Sequence, residues 1–132
     1  MDWAAKMFGL HGVFWNVNEV DGGVIQTTAS DSALTAIVTA RTRYIDEHPG
    51  TTLESLVIYV TTLTHSFGKK AAMVLGLRIR VIDVDATVAA DNTGLTGEGL
   101  RAAVEEDRAQ GLHPFVLNAT VGTTSSGARS SS

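Results

Sequence analysis

A chain of 132 residues with 44% hydrophobic and 18% charged content has the size and make-up of one globular domain. Its net charge of −4, with ten Lys and Arg spread along the chain, argues against a nucleic-acid binder, which needs a basic patch. There is no cysteine for disulfides or thiolate metal sites, and no apolar run approaches the ~18–20 residues that span a bilayer, so a soluble cytoplasmic protein without a membrane partner is expected.

Asp2 to Leu10 reads as a short amphipathic helix, with Trp3, Met7 and Leu10 on one face. Val13 to Trp15 is apolar and suits an extended segment. Asn16 to Gly23 is a polar loop, and Val24 to Gln26 is briefly extended. Ser30, with Asp31 in the first turn, opens a long helix that ends before Pro49-Gly50. Leu56 to Val60 is a continuous β-branched and aromatic run, the pattern of a strand buried on both faces. Ser66 to Leu75 is a compact helix stopped by Gly76, and Leu77 to Ile82 is a strand with Arg78 and Arg80 pointing outward. Thr96 caps a helix that runs to Gln110, and His113 to Thr120 forms a third strand. Strands alternating with helices imply crossovers and a parallel sheet, an α/β fold layered helix–sheet–helix. The serine-rich tail from Ser125 has no periodicity and is expected to be disordered.

In such folds ligands gather at the carboxyl ends of strands and the amino ends of helices. Thr27-Thr28-Ala29-Ser30, His65 and Gly122-Thr123-Thr124 all fall at such places. A helix amino end suits an anion, but Ser/Thr clusters there also serve as plain caps, and a single histidine at a strand end can be structural. Ser66 and Lys69 match an S-x-x-K spacing without the other boxes of serine acyl enzymes. His11, His48 and His113 lack the i, i+4 pairing of a metal site. Glu105, Glu106 and Asp107 read as a solvated helix face.

Three blocks, in order, carry a resemblance. DGGVIQTTASDSALTAIVTARTR, THSFGKKAAMVLGLRIRVI and GEGLRAAVEEDRAQGLHPFVLNATVGTTSSGA resemble the corresponding stretches of group II pyridoxal-phosphate-dependent decarboxylases, of the aromatic-L-amino-acid type. The opening MDWAAKMFGL is similar to a helix of the same family. The resemblance implies a type I, aminotransferase-like fold, with residues 1–124 as part of its cofactor-binding large domain and 125–132 as the tail. It implies pyridoxal phosphate (PLP) as cofactor and an aromatic L-amino acid as substrate. Ala29 and Ser30 would hold the cofactor phosphate, His65 would stack on the pyridine ring as the catalytic histidine, and Thr124, with Thr123 beside it, would line the pocket.

The chain also departs from the family. Thr62-Leu63-Thr64 stands where Asp-Gln-(Ala/Thr) is usual, and Phe67 replaces a small residue. Asp85 precedes the Thr120 strand, whereas the family's pyridinium aspartate follows it, and Lys69 and Lys70 lie outside the motif of the cofactor-binding lysine. The expectation is a truncated segment that contributes the phosphate-anchoring and ring-stacking part of the pocket and is inactive alone. Two alternatives stand beside it: a non-catalytic fragment that associates with itself or a full-length relative, and an unrelated small α/β phosphate-binding domain.

Overall fold

The computed structural model describes residues 2–16, 22–84 and 94–120. The chain falls into two compact units, Met1–Ser32 and Ala33–Ser132. Most of the expected loop after Asn16, Asp85, the turn with Thr123 and Thr124, and the serine-rich tail lie outside the described residues.

The strand Leu56–Thr61 (β1) organises the second unit. All six of its residues are buried, so it needs a strand on each edge and a helical layer on each face. It pairs in parallel with Arg78–Ile82 (β2) and with His113–Leu117 (β3), giving the order β2-β1-β3. The β1–β3 register slips between Val57 and Ile58, next to Pro114, which has no N–H to give the ladder. Strand alternation then sorts the core. Leu56, Ile58 and Val60 face Ile37 of the helix Ala29–Glu47 (α2) and Ala71 and Ala72 of the helix Phe67–Leu75 (α3). Val57 and Tyr59 face Ala103 of the helix Gly97–Ala109 (α4) on the other side. The two crossovers run in opposite directions across β1, so connections of one hand put α3 and α4 on opposite faces. The expected helix–sheet–helix layering is present.

Local chemistry sets the ends of these elements. Thr96 Oγ1 accepts the Gly99 N–H at 3.2 Å to start α4, and Gly76 closes α3 at φ +65°, a backbone conformation that costs glycine little. At the amino ends of the strands Tyr44 is the hub of an aromatic cluster. Its ring stacks on His48 with centroids 4.1 Å apart, and its hydroxyl lies 3.2 Å from His113 Nδ1. The Tyr44–His113 contact therefore ties α2 to β3, and His48 packs against the same tyrosine.

In the first unit the helix Asp2–Met7 (α1) forms, but it buries Ala5 and leaves Trp3 and Met7 largely exposed. Asp2 Oδ1 accepts the Asn16 N–H at 2.7 Å, and the Lys6 ammonium lies 5.1 Å from the centre of the Trp15 ring. Val13 to Trp15 is not extended. Gly12–Phe14 is a 3-10 turn, because His11 takes the Val13 N–H on its ring and the Phe14 N–H on its carbonyl. Among the described residues Val24 to Gln26 has no ladder partner and forms no strand. β3 stops at Leu117, three residues short of Thr120, where its pairing with Tyr59 of β1 ends.

The acidic stretch of α4 is not a solvated face throughout. Asp107 is 3% exposed, takes a hydrogen bond from the Tyr59 hydroxyl at 2.6 Å and is paired with Arg80 at 3.3 Å. Arg80 also pairs with Glu106, so it points at α4 and not outward to water. The reason is register: Arg80 lies beside Tyr59, on the α4 face of the sheet. Among the described residues no helix is long and apolar enough to cross a membrane.

Replacing Asp107 by Ala leaves the buried Tyr59 hydroxyl without its acceptor, while Arg80 keeps Glu106, and should cost about 1–3 kcal/mol in urea unfolding. The Tyr59 phenol is pushed well above its usual 10.0, first by burial and then by the hydrogen bond to Asp107. The unfolded chain releases this proton at lower pH than the folded one, so the stability it contributes is complete below about pH 10 and falls as pH rises further. Tyr59→Phe should flatten that decline in a comparison of unfolding between about pH 9 and 11. An unchanged slope would contradict the assignment.

Candidate functional site

At the carboxyl end of β1 a tight turn leads into α3. The Thr61 N–H donates to Thr64 Oγ1 at 3.0 Å, and the Thr64 N–H returns to the Thr61 carbonyl at the same distance. Thr62 is fixed on the other side, its N–H on the Ile82 carbonyl at 3.0 Å and its hydroxyl between the N–H and the carbonyl of Val84. The threonines at the family's Asp-Gln-(Ala/Thr) position thus lock the loop between β1 and β2. His65 follows at the crest, exposed, its ring 5.9 Å from that of Phe67 and inclined by 25°. A planar group held this way presents a flat surface at a strand end. Beside it, Asn118 extends the β1–β3 ladder by donating its N–H to the Tyr59 carbonyl at 2.9 Å.

The second candidate element lies in the first unit, at the start of α2. Thr28, not Ser30, is the capping residue. Its hydroxyl accepts the Asp31 N–H at 3.1 Å, and its carbonyl takes the Ser32 N–H at 3.0 Å. Thr27 donates its hydroxyl to the Asp31 carboxylate. Ala29 and Ser30 are therefore the first two helical residues, and among the described residues their N–H groups have no acceptor. Two such amides and the exposed Ser30 hydroxyl, at the positive end of a 19-residue helix, are a donor set for a phosphate. The Thr27 and then the Thr28 hydrogen bond hold the Asp31 carboxyl below its usual 3.8, so it is ionised and occupied within the turn.

Ala29 and Ser30 thus sit where an anion would be held, and His65 sits at a strand end. Lys69 and Lys70 lie on the exposed side of α3. A cavity of about 280 Å³ lined by Arg78, Arg80, Asp107 and Gln110 lies at the amino ends of the strands, away from His65. The Thr27–Thr28–Asp31 clasp and the placement of Asn118 were not anticipated from sequence. The first is visible in the T-T-x-x-D spacing once the cap is moved from Ser30 back two residues to Thr28, and the second depends on strand pairing.

Known proteins supply the context. Residues 1–130 match the pyridoxal-dependent decarboxylase conserved domain. Tyrosine decarboxylase 2 of Narcissus pseudonarcissus is 40% identical over 131 residues, which cover 97% of this chain and 25% of that protein. Histidine decarboxylase of Drosophila melanogaster is 39% identical over 136 residues, covering 96% and 16%. The crystal structure of Oryza sativa TDC with PLP and tryptamine superposes with a TM-score of 0.81 at 33% identity, over 98% of this chain and 29% of that one. The chain spans about a quarter of the length of the tyrosine decarboxylase it matches. These likenesses leave no place for an unrelated phosphate-binding domain.

Thr28→Ala should loosen the first turn of α2 by about 1 kcal/mol, read as faster amide exchange at Asp31 and Ser32. Because the Asp31 pKa is depressed, the contribution of its clasp is present above about pH 3.8 and lost as pH falls through the lowered value. Thr27→Val should raise that pKa toward normal in a carboxyl NMR titration, and no movement would contradict the clasp.

With residues 1–130 matching the family's conserved domain and the chain superposing on a solved decarboxylase at 33% identity, the chain belongs to the pyridoxal-dependent decarboxylases.

Proposed function

We propose that this chain supplies two parts of the PLP site of a decarboxylase acting on aromatic L-amino acids, with the cytoplasm as its setting. Ala29 and Ser30 bind the cofactor phosphate, His65 stacks on its ring, and Thr124 lines the pocket. The observation that carries this is the start of α2, where among the described residues the first two amides have no acceptor because Thr28 caps only the third. The family match says which anion to seek there. When bound, the cofactor supplies the electron sink for loss of the substrate carboxylate as CO₂. The protein's share is to bind and orient. The helix amides fix the phosphate end, and the flat face of His65 limits tilting of the ring, with Phe67 backing the imidazole from the other side. The relatives that support this reading act, by their names, on tyrosine, tryptophan or histidine.

Within these 132 residues no lysine stands in the family's cofactor-binding motif and no aspartate follows the Thr120 segment. We therefore propose that the chain by itself binds PLP weakly without turnover. A second reading has support of its own. Among the described residues β2 and β3 each have an open edge, and Ile79 and Val81 of β2 are more than a third exposed. Open edges of that kind invite pairing with a second copy or with a full-length relative.

Titration of the chain with PLP, followed by absorbance and borohydride trapping, tests the proposal. Saturable binding that inorganic phosphate competes for, weakened roughly threefold to tenfold by His65→Ala, with no trapped lysine adduct, is the expected result. A specific adduct on Lys69 or Lys70, or binding indifferent to both phosphate and His65, would overturn it.

A further inference from the structure

The helix α3 that follows His65 starts without a side-chain cap. Ser66 stands in the capping position with helical backbone angles, φ −56° and ψ −13°, and its side chain accepts nothing from the first turn. The Gly68 N–H reaches only the His65 carbonyl, at 3.4 Å. The first-turn donors are short of an acceptor.

Against this turn lies the side chain of Asn118. It continues the face of β3 that carries Val116, and that face packs against α3. A Cβ added at Gly68 would lie 3.2 Å from Asn118 Nδ2 and 2.9 Å from Val60 Cγ1, so α3 sits this close to the sheet only because residue 68 is glycine. Asn118 Nδ2 is itself buried and, among the described residues, has no hydrogen-bond partner. A donor without an acceptor therefore lies beside a helix start whose own donors lack one. A half-turn of the amide exchanges its oxygen and nitrogen with almost no change of shape and turns an acceptor toward the helix start.

We infer that Asn118 is a positioning residue for His65: its side-chain oxygen caps the first turn of α3 from the neighbouring strand and fixes the segment that presents the imidazole. The consequence for function rests on the proposal that His65 stacks on the cofactor ring. The cap itself does not. An uncapped α3 would fray at the residues adjoining His65, and the imidazole would lose its fixed height above the strand ends.

Three variants separate an acceptor from a filler. Asn118→Asp keeps the oxygen and adds a charge suited to a helix amino end. Asn118→Leu keeps the approximate volume and removes the oxygen, and Asn118→Ala removes both. The readouts are the His65 ring resonances, assigned with His65→Gln, and amide exchange at Gly68 and Lys69, all without cofactor; PLP affinity is measured separately. The cap predicts that Asp preserves the His65 signals and the slow exchange, while Leu and Ala shift the signals, speed exchange and weaken PLP binding roughly twofold to tenfold. Wild-type behaviour in Leu, or loss of the signals in Asp, would overturn it, whatever becomes of Ala. If wild type binds no PLP, the ring-stacking proposal fails, yet the cofactor-free readouts still decide the cap.

Discussion

A six-residue strand with no exposed residue is the constraint on which the rest of the second unit depends. Burying both faces of β1 demands helices on both sides, and burying both edges demands a parallel neighbour on each. Parallel neighbours in turn require crossovers, which α3 and α4 supply. Reversing direction across β1 brings the carboxyl ends of β1 and β3 together, and side by side there stand His65, at the turn after β1, and Asn118, just beyond β3. The apolar transfer energy of such a core, roughly 1.5–3 kcal/mol for each large side chain fully buried, holds the site in place from below.

Polar groups then do what apolar packing cannot. Tyr59 carries a buried hydroxyl to Asp107 of α4, and Asp107 in turn pairs with Arg80. Removing Asp107 is costly because the Tyr59 hydroxyl then stays buried without an acceptor, while Arg80 keeps Glu106. Threonines play the matching part at the strand end. Thr61, Thr62 and Thr64 satisfy one another or the neighbouring backbone, and the turn before His65 therefore has no polar group to spare on its own closure.

The sequence displays the β1 run, the helix periods and the glycine stop at Gly76 openly, because each rests on residues adjacent in the chain. The ordered blocks around Ala29-Ser30 and His65 likewise make the family legible. What pattern reading misses depends on partners distant in sequence. Asp107 looks like one more acid on a charged helix until strand register puts Tyr59, 48 residues away, beneath it. Arg80 looks outward for the same reason. Trp3 and Met7 have the spacing of a buried stripe, yet the described residues leave them exposed. Ser30 reads as the helix entrance because three hydroxyl residues in four offer several possible caps, and only the hydrogen bond from Asp31 picks out Thr28.

The central claim is that the start of α2 and the turn at His65 are the parts of this chain that meet the cofactor. Amide chemical-shift mapping of the ¹⁵N-labelled chain during addition of PLP tests it most directly. The account predicts saturable shifts at Ala29, Ser30 and Asp31 and at His65 and Phe67, with inorganic phosphate reproducing only the first group. Shifts confined to the Arg78, Arg80 and Gln110 cavity at the opposite ends of the strands, or to Lys69 and Lys70, would contradict it.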